Sequence, residues 1–309
     1  MYLGINLEFA RLLLEGGCNV LFADISLRPE SEKVIAQYQS KPKAVYQKTD
    51  VASWVDLDEM FRVAIEHFGQ VDIVCPGAGI FEPPWSNFWV PPGTGNSRDK
   101  AQGDRYITMD INVTHPIRVT QMAISHFLAQ SPPPSKTNPK SIIHISSIAG
   151  EVAGLPTPLY YAGKHAIKAF VRSLGDLQNL FGIRVAAVLP GIVKTPLWTE
   201  HPDKLQIVDE KKDAWIMPED IGKVMLDLVV KDEINSKKDG SGELIPIEGG
   251  SCVEVLSQQR RDVPLLDNVG PVGGLEGATV SDAEKLYGDI VGSLKPGWGV
   301  AEGQTNGSA

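Results

Sequence analysis

Short apolar runs alternate with helical patterns along this chain, and that alternation restricts its fold more than any other feature. Val20-Leu21-Phe22-Ala23 ends in Asp24, and Val71 to Cys75 is closed by Pro76-Gly77-Ala78-Gly79. Ile142-Ile143-His144-Ile145 stops at Ser146-Ser147, and Arg184 to Leu189 ends at Pro190-Gly191. Between these runs Leu7, Ala10, Leu13 and Leu14 repeat at helical spacing up to Gly16-Gly17, a helix stop. Glu30 to Ser40 reads as a second helix, Ala44 to Tyr46 as a short strand, and Val55 to Phe68 as a helix capped by Ser53. Tyr106 to Gln130 reads as one long amphipathic helix, Glu219 to Val230 as another, and Glu243 to Ile247 as a final strand. Strands and helices in alternation predict an α/β fold, a doubly wound parallel sheet with helices on both faces.

Length and charge narrow the class further. The 309 residues, 42% hydrophobic and 22% charged, suit one domain with a tail. The domain is expected over residues 1–257, interrupted by a Pro-rich and aromatic insertion at about 81–104 that reads as a surface loop; residues 258–309 read as a Gly-rich, partly disordered extension with a weak helical patch near Asp282 to Leu294. A net charge of −9 argues against nucleic acid or an anionic membrane as partner. No apolar run reaches the roughly 18 to 20 residues of a membrane span, and no basic-then-apolar leader opens the chain. Three scattered cysteines give no disulfide framework, so a reducing cytoplasmic location is expected. The six histidines lack zinc-binding spacing, and no metal is expected.

The chemistry concentrates between Ile142 and Lys164. Tyr160 and Lys164 are four apart, so on a helix they share a face. Ser147, at the end of the preceding strand, can reach the same point in space. A free tyrosine titrates near pH 10, so its use as a base near neutrality needs a pKa lowered by roughly 2 units. A nearby lysine cation gives that sign of shift, and Ser147 would donate a hydrogen bond to the substrate oxygen. Tyr-x-x-x-Lys alone is more often a solvated helix pair; the strand and the placed serine favour the catalytic reading. A serine hydrolase is disfavoured, because Ser147 lies in Ile-Ser-Ser-Ile-Ala rather than a Gly-x-Ser-x-Gly elbow and His165 points away from Lys164.

The Ser-Ser-Ile-Ala-Gly turn, the Tyr160-x-x-x-Lys164 pair and Pro190-Gly191-x-Val193-x-Thr195 together resemble the short-chain dehydrogenase/reductase family, over about residues 4 to 250. The insertion and extended tail are similar to fungal members. The resemblance implies hydride transfer between a nicotinamide and a secondary alcohol or ketone. Tyr160 would act as acid–base, Lys164 would bind the nicotinamide ribose as well, and Asn112 would hold a proton-relay water. Asp24, at a strand end, would hold the adenosine ribose, which points to NAD, with NADP left open by the neighbouring Arg28. Gly4 and Ile5 would serve the pyrophosphate, Asp50 and Val51 the adenine, and Ala78 and Gly79 the cofactor cleft. Pro190 and Gly191 belong to the same site, and Val193 and Thr195 would hold the nicotinamide amide. A homodimer or homotetramer through the Tyr106 and Tyr160 helices is also implied.

Two departures stand out. Where the family has two asparagines before Ala-Gly, this chain has Pro76-Gly77; where its last motif glycine would be, this chain has Asn6. The first strand is missing ahead of Gly4, and in a 3-2-1-4-5-6 sheet that strand is central, between those ending at Asp24 and Cys75. A polypeptide without it is expected to fold poorly and bind dinucleotide weakly. A start that leaves out upstream sequence is favoured over a non-catalytic binding or regulatory protein. Trp85, Phe88, Trp89, Leu197 and Trp198 are expected to line an apolar pocket for a lipophilic alcohol or ketone.

Overall fold

Gly4 opens the first helix without a side-chain cap; α1, Ile5–Glu15, buries Leu7, Phe9, Ala10, Leu13 and Leu14 on one stripe. It ends at Gly16, and Gly17, at a φ of +90°, turns the chain so that the Cys18 amide bonds back to Leu13. The computed structural model describes residues 4–200, 205, 208–209, 212–264 and 283–300. β1 (Val20–Asp24) crosses through α2 (Pro29–Gln37) to β2 (Ala44–Lys48), and the two strands pair in parallel. Ser53 caps α3 (Trp54–Phe68), its hydroxyl accepting from the Asp56 amide and donating to the Asp56 carboxylate.

β3 (Ile73–Val74), β4 (Lys140–Ile145) and β5 (Ile183–Pro190) are consecutive parallel neighbours. The expected single helix from Tyr106 to Gln130 is divided into α4 (Ile107–Met109), a π-helical turn (Asp110–Thr114) and α5 (His115–Leu128). Pro116 gives the reason, since it has no N–H for the regular ladder and its ring crowds the preceding turn. α6 (Pro158–Ser173) and α7 (Leu177–Phe181) lead into β5, and α8 (Pro196–Thr199) and α9 (Pro218–Val230) follow it.

Glu243 to Ile247 does not supply the final strand of the sheet. β6 (Glu233–Asn235) and β7 (Leu244–Pro246) form a separate antiparallel pair, with Leu244 exposed and Pro246 offering no N–H. The strand beside β5 is β8 (Cys252–Val255), buried throughout, and β9 (Arg260–Asp262) folds back antiparallel onto it. The sheet order is thus β3-β4-β5-β8-β9, with β1 and β2 in a sheet of their own. Among the described residues no strand joins the β1–β2 sheet to β3, where the sequence predicts a gap.

Alternate residues of β4, β5 and β8 face opposite layers. Ile142, Val185, Ala187 and Cys252 meet α3, α5 and α6 through Leu57, Phe61, Phe127, Ile167 and Val171. Ile143, Ala186, Val188 and Val253 meet α1 and α9 through Phe9, Leu13, Ile221, Met225 and Leu228. Helices therefore cover both faces of a mostly parallel sheet, as the alternation predicts.

Two regions differ from expectation. The insertion is a built lobe rather than a loose surface loop: Ser86 and Asp99 are buried and bond each other, and together they hold the Ile107 and Thr108 amides. The boundary expected after residue 257 falls within the β8–β9 hairpin, and Val263 beyond it joins the core. Farther on, α10 (Ala283–Ser293) precedes Leu294 and Trp298, which pack against the same core cluster, while Ser125 donates a hydrogen bond to the Trp298 carbonyl. The rest of the expected extension, residues 265–282 and 301–309, lies outside the described residues.

Candidate active site

At the carboxyl end of β4 the chain turns sharply, and its two serines divide the work. Ser146 is buried and donates to the Lys164 carbonyl at 2.9 Å, tying the strand end to α6. Ser147 accepts from the Ala149 amide at 3.1 Å, donates to the Pro190 carbonyl at 3.4 Å, and its hydroxyl faces the Tyr160 phenol. On α6, Lys164 places Nζ 5.5 Å from the centre of the Tyr160 ring and donates to the Ile145 carbonyl at 2.9 Å. Ser147, Tyr160 and Lys164 thus converge as their spacing predicts.

The electrostatics correct one expectation. Burial is the largest influence on Tyr160 and pushes its pKa up to about 12, with the nearby Ser147 hydroxyl acting in the opposite direction. Lys164 does not set that balance here; its own pKa is pushed down to about 8 by burial. Near neutrality the phenol therefore holds its proton and is the natural donor to a carbonyl oxygen. The reverse step needs positive charge brought beside it.

Asn112 lies in the π-helical turn and is buried, not solvated in mid-helix. Its amide group donates to the Ile80 carbonyl at 2.8 Å and accepts from the Ile80 amide at 2.9 Å. This two-point clamp fixes the strand-end loop, and a Cβ at Gly79 would stand 3.3 Å from Asn112 Oδ1 and 4.0 Å from Lys164 Nζ. Ala78 and Gly79 are exposed. A dinucleotide's nicotinamide end therefore has a bare backbone surface to lie on beside Lys164, so the residues present fit such a group.

The other expected cofactor residues are placed as follows. Asp24 sits exposed at the end of β1, its carboxylate accepting from the Ser26 amide at 3.4 Å. Arg28 is held by Glu200 through two bonds of 2.6 and 2.9 Å. Gly4 and Ile5 form the start of α1, where Leu7 and Glu8 are the first amides bonded back to Gly4. Asp50 uses its carboxylate on the Ala52 amide, and Val51 packs against the core. Pro190 ends β5, and Gly191 donates to the Val255 carbonyl at 3.1 Å. Val193 turns its side chain into the core and bridges to Ile216, so only its backbone can meet a cofactor; Thr195 is also buried.

The expected aromatic lining is divided. Trp85 packs under Arg98, and Phe88 and Trp89 meet edge-to-face at the surface. Phe81 meets the Tyr160 ring edge-on at 4.7 Å, with Trp198 at 5.7 Å from Phe81 and Trp215 at 6.3 Å from Trp198. Sequence reasoning missed Phe81 and Trp215, although Phe81 directly follows the Gly79-Ile80 pair that lines the cleft.

Comparison with known proteins places the chain in a family. The family profile described as short chain dehydrogenase matches residues 2–206. This chain belongs to the short-chain dehydrogenase family. Among relatives, the rat 15-hydroxyprostaglandin dehydrogenase [NAD(+)] is 31% identical over 198 residues, 63% of this chain and 66% of that enzyme. Bovine L-fucose dehydrogenase is 27% identical over 197 residues, 64% of this chain and 65% of that one. A 3-ketoacyl-(acyl-carrier-protein) reductase from Brucella melitensis, solved with NADH, superposes with a TM-score of 0.62 at 20% identity, covering 82% of this chain and 93% of that one. That structural likeness bears on the fold. Among the described residues no helix is long and apolar enough to cross a membrane, and no His, Cys, Asp or Glu cluster forms a metal site.

Proposed function

We propose that this short-chain dehydrogenase interconverts a lipophilic secondary alcohol and its ketone with NAD(H). The observation that carries the reading is the convergence of Ser147, Tyr160 and Lys164 on one point beside the bare Gly79 backbone. Ser147 orients the substrate oxygen. Tyr160 holds the proton at its phenol oxygen and delivers it to a ketone, or takes it from an alcohol. Lys164, with Nζ 5.5 Å from the centre of the Tyr160 ring, holds the nicotinamide ribose beside the phenol. When bound, the nicotinamide supplies or accepts the hydride at the carbinol carbon. Phe81 and Trp198 exclude water from that carbon and set an apolar wall.

Asp24 selects the unphosphorylated ribose, and the Arg28–Glu200 pair supports NAD over NADP. NAD(+), the cofactor in the rat relative's name, agrees with that choice. In this reading the enzyme works in the cytoplasm as a homodimer or homotetramer, a state that sedimentation of the purified protein measures. The function is tested by mixing the protein with NAD and a panel of lipophilic secondary alcohols while following NADH absorbance. Turnover by the parent that disappears in Tyr160→Phe, with NADH fluorescence titration unchanged, is the expected result; turnover retained in Tyr160→Phe refutes the mechanism.

A further inference from the structure

Glu82 is buried, sits at the positive φ of 31°, and forms no ion pair among the described residues. A non-glycine residue in that backbone region needs surroundings that hold it there. Its carboxylate is fully committed: one oxygen accepts from the Phe88 amide at 3.0 Å, the other from the Tyr160 amide at 2.9 Å. Its own carbonyl accepts from the Asn87 side chain at 3.2 Å.

The Tyr160 bond falls where α6 needs one. Thr157 occupies the N-cap position and makes no side-chain cap bond; Pro158 follows, and the first amide bonded back into the helix is that of Tyr161. The third amide of the helix, which a cap side chain ordinarily satisfies, belongs to Tyr160. Glu82 satisfies it from another part of the chain, and its negative charge complements the positive end of the helix. The residue before Glu82 is Phe81, whose ring meets the Tyr160 ring edge-on at 4.7 Å. Two consecutive residues therefore hold Tyr160 by its backbone and by its ring. A second strap, from Trp89 Nε1 to the Leu155 carbonyl at 2.8 Å, joins the same insertion to the loop that enters α6.

We infer that Glu82 is a positioning residue for the acid–base tyrosine, and that the 81–104 insertion is anchored through it to the start of α6. This rests on the dehydrogenase reading for its effect on rate, and on the structure alone for its effect on Tyr160. Glu82→Ala is expected to lower kcat at least tenfold with a smaller change in KM and unchanged NADH binding. It is also expected to bring the Tyr160 titration, read by ultraviolet difference absorbance against Tyr160→Phe, down from its raised value. Glu82→Gln keeps one acceptor and should fall between Ala and the parent in both readings. A folded Glu82→Ala with parental kcat and parental Tyr160 titration overturns the inference. If the parent oxidises no alcohol with NAD, the functional reading fails by itself, and the titration decides Glu82: a moved titration supports it and an unmoved one overturns it. Where neither variant folds, amide exchange in the parent decides, since a Tyr160 amide exchanging at the unprotected rate contradicts the cap and at least tenfold protection supports it.

Discussion

The side chain of Asn6 fills the space that Gly77 leaves: a Cβ built at residue 77 would lie 2.3 Å from Asn6 Oδ1. The two departures from the family pattern are thus one event in space. At the start of α1 an amide stands where the family pattern has glycine, and in the facing loop a glycine stands where it has asparagine, leaving room for it. Each change read alone looks like a lost motif residue; together they preserve a close approach between the helix start and the end of β3. Gly77→Ala is expected to displace Asn6 and weaken NADH binding several-fold, whereas the same substitution in an Asn6→Gly background should cost less than twofold. A double-mutant cycle on NADH affinity measures this, and additive effects would count against it.

Lys164 links catalysis to stability with opposite signs. Its pKa is pushed down to about 8 by burial, below its unfolded value of 10.5. The unfolded chain binds the proton more tightly, so the buried ammonium costs stability below pH 8, and that cost is recovered as pH rises from about 8 to 10.5. The full penalty is on the order of 3 kcal/mol, reduced by the bond to Ile145 that substitution would forfeit. Lys164→Met should therefore abolish turnover while leaving the melting temperature at pH 7 equal to or above the parent's.

Two buried histidines make the fold sensitive to acid. Burial pushes His144 down to about 3 and His115 down to about 4, while in the unfolded chain both titrate near 6.5. Protonation then favours the unfolded state, and stability is lost as pH falls below 6.5 toward those values. His144 Nε2 lies 3.0 Å from Thr120 Oγ1. Between pH 7 and 5 each residue is expected to remove about 2 kcal/mol. His144→Gln should flatten the fall in melting temperature across that interval, even if it lowers the value at pH 7.

Phe81 meets the Tyr160 ring edge-on, and its ring also touches Trp198. Phe81→Ala opens the proposed apolar wall, with an expected rise of about tenfold in KM for lipophilic alcohols, the size of one lost apolar contact in a binding pocket. Small alcohols, which do not reach the wall, should keep their KM. Equal losses for both classes would place Phe81 in the fold rather than in recognition.

Arg28 is held by Glu200 in a solvent-exposed pair. Glu200→Gln frees the guanidinium near Asp24, so the preference for NAD over NADP, read as a ratio of kcat/KM values, should fall several-fold. No change in the ratio would show that Asp24 alone sets the choice.

The parallel strands and the Ser147, Tyr160 and Lys164 set were legible because each rests on local spacing: apolar runs, a strand end, and one helical turn. The π-helical turn at Asn112 and the buried lobe around Ser86 and Asp99 were not, since polar residues in a Pro-rich stretch look the same whether they face water or each other. β8 was missed because the more obvious run, Glu243 to Ile247, drew the assignment, while Cys252–Val255 is four residues long and contains Glu254. Phe81 and Glu82 act through contacts with residue 160, and no periodicity records a relationship across that distance in the chain.

The order of strands in space carries a consequence for synthesis. β5 lies between β4 and β8, and its last residue, Pro190, receives the Ser147 hydroxyl; β8 and β9 arrive some sixty residues later in the chain. A chain emerging from the ribosome therefore exposes one edge of β5 until Val255 has cleared the exit, with Ser147, Tyr160 and Lys164 already made and their neighbouring strand unsealed. Nascent chains halted near residue 230 should need a chaperone that shields that edge, whereas release past Val263 lets the sheet close on itself.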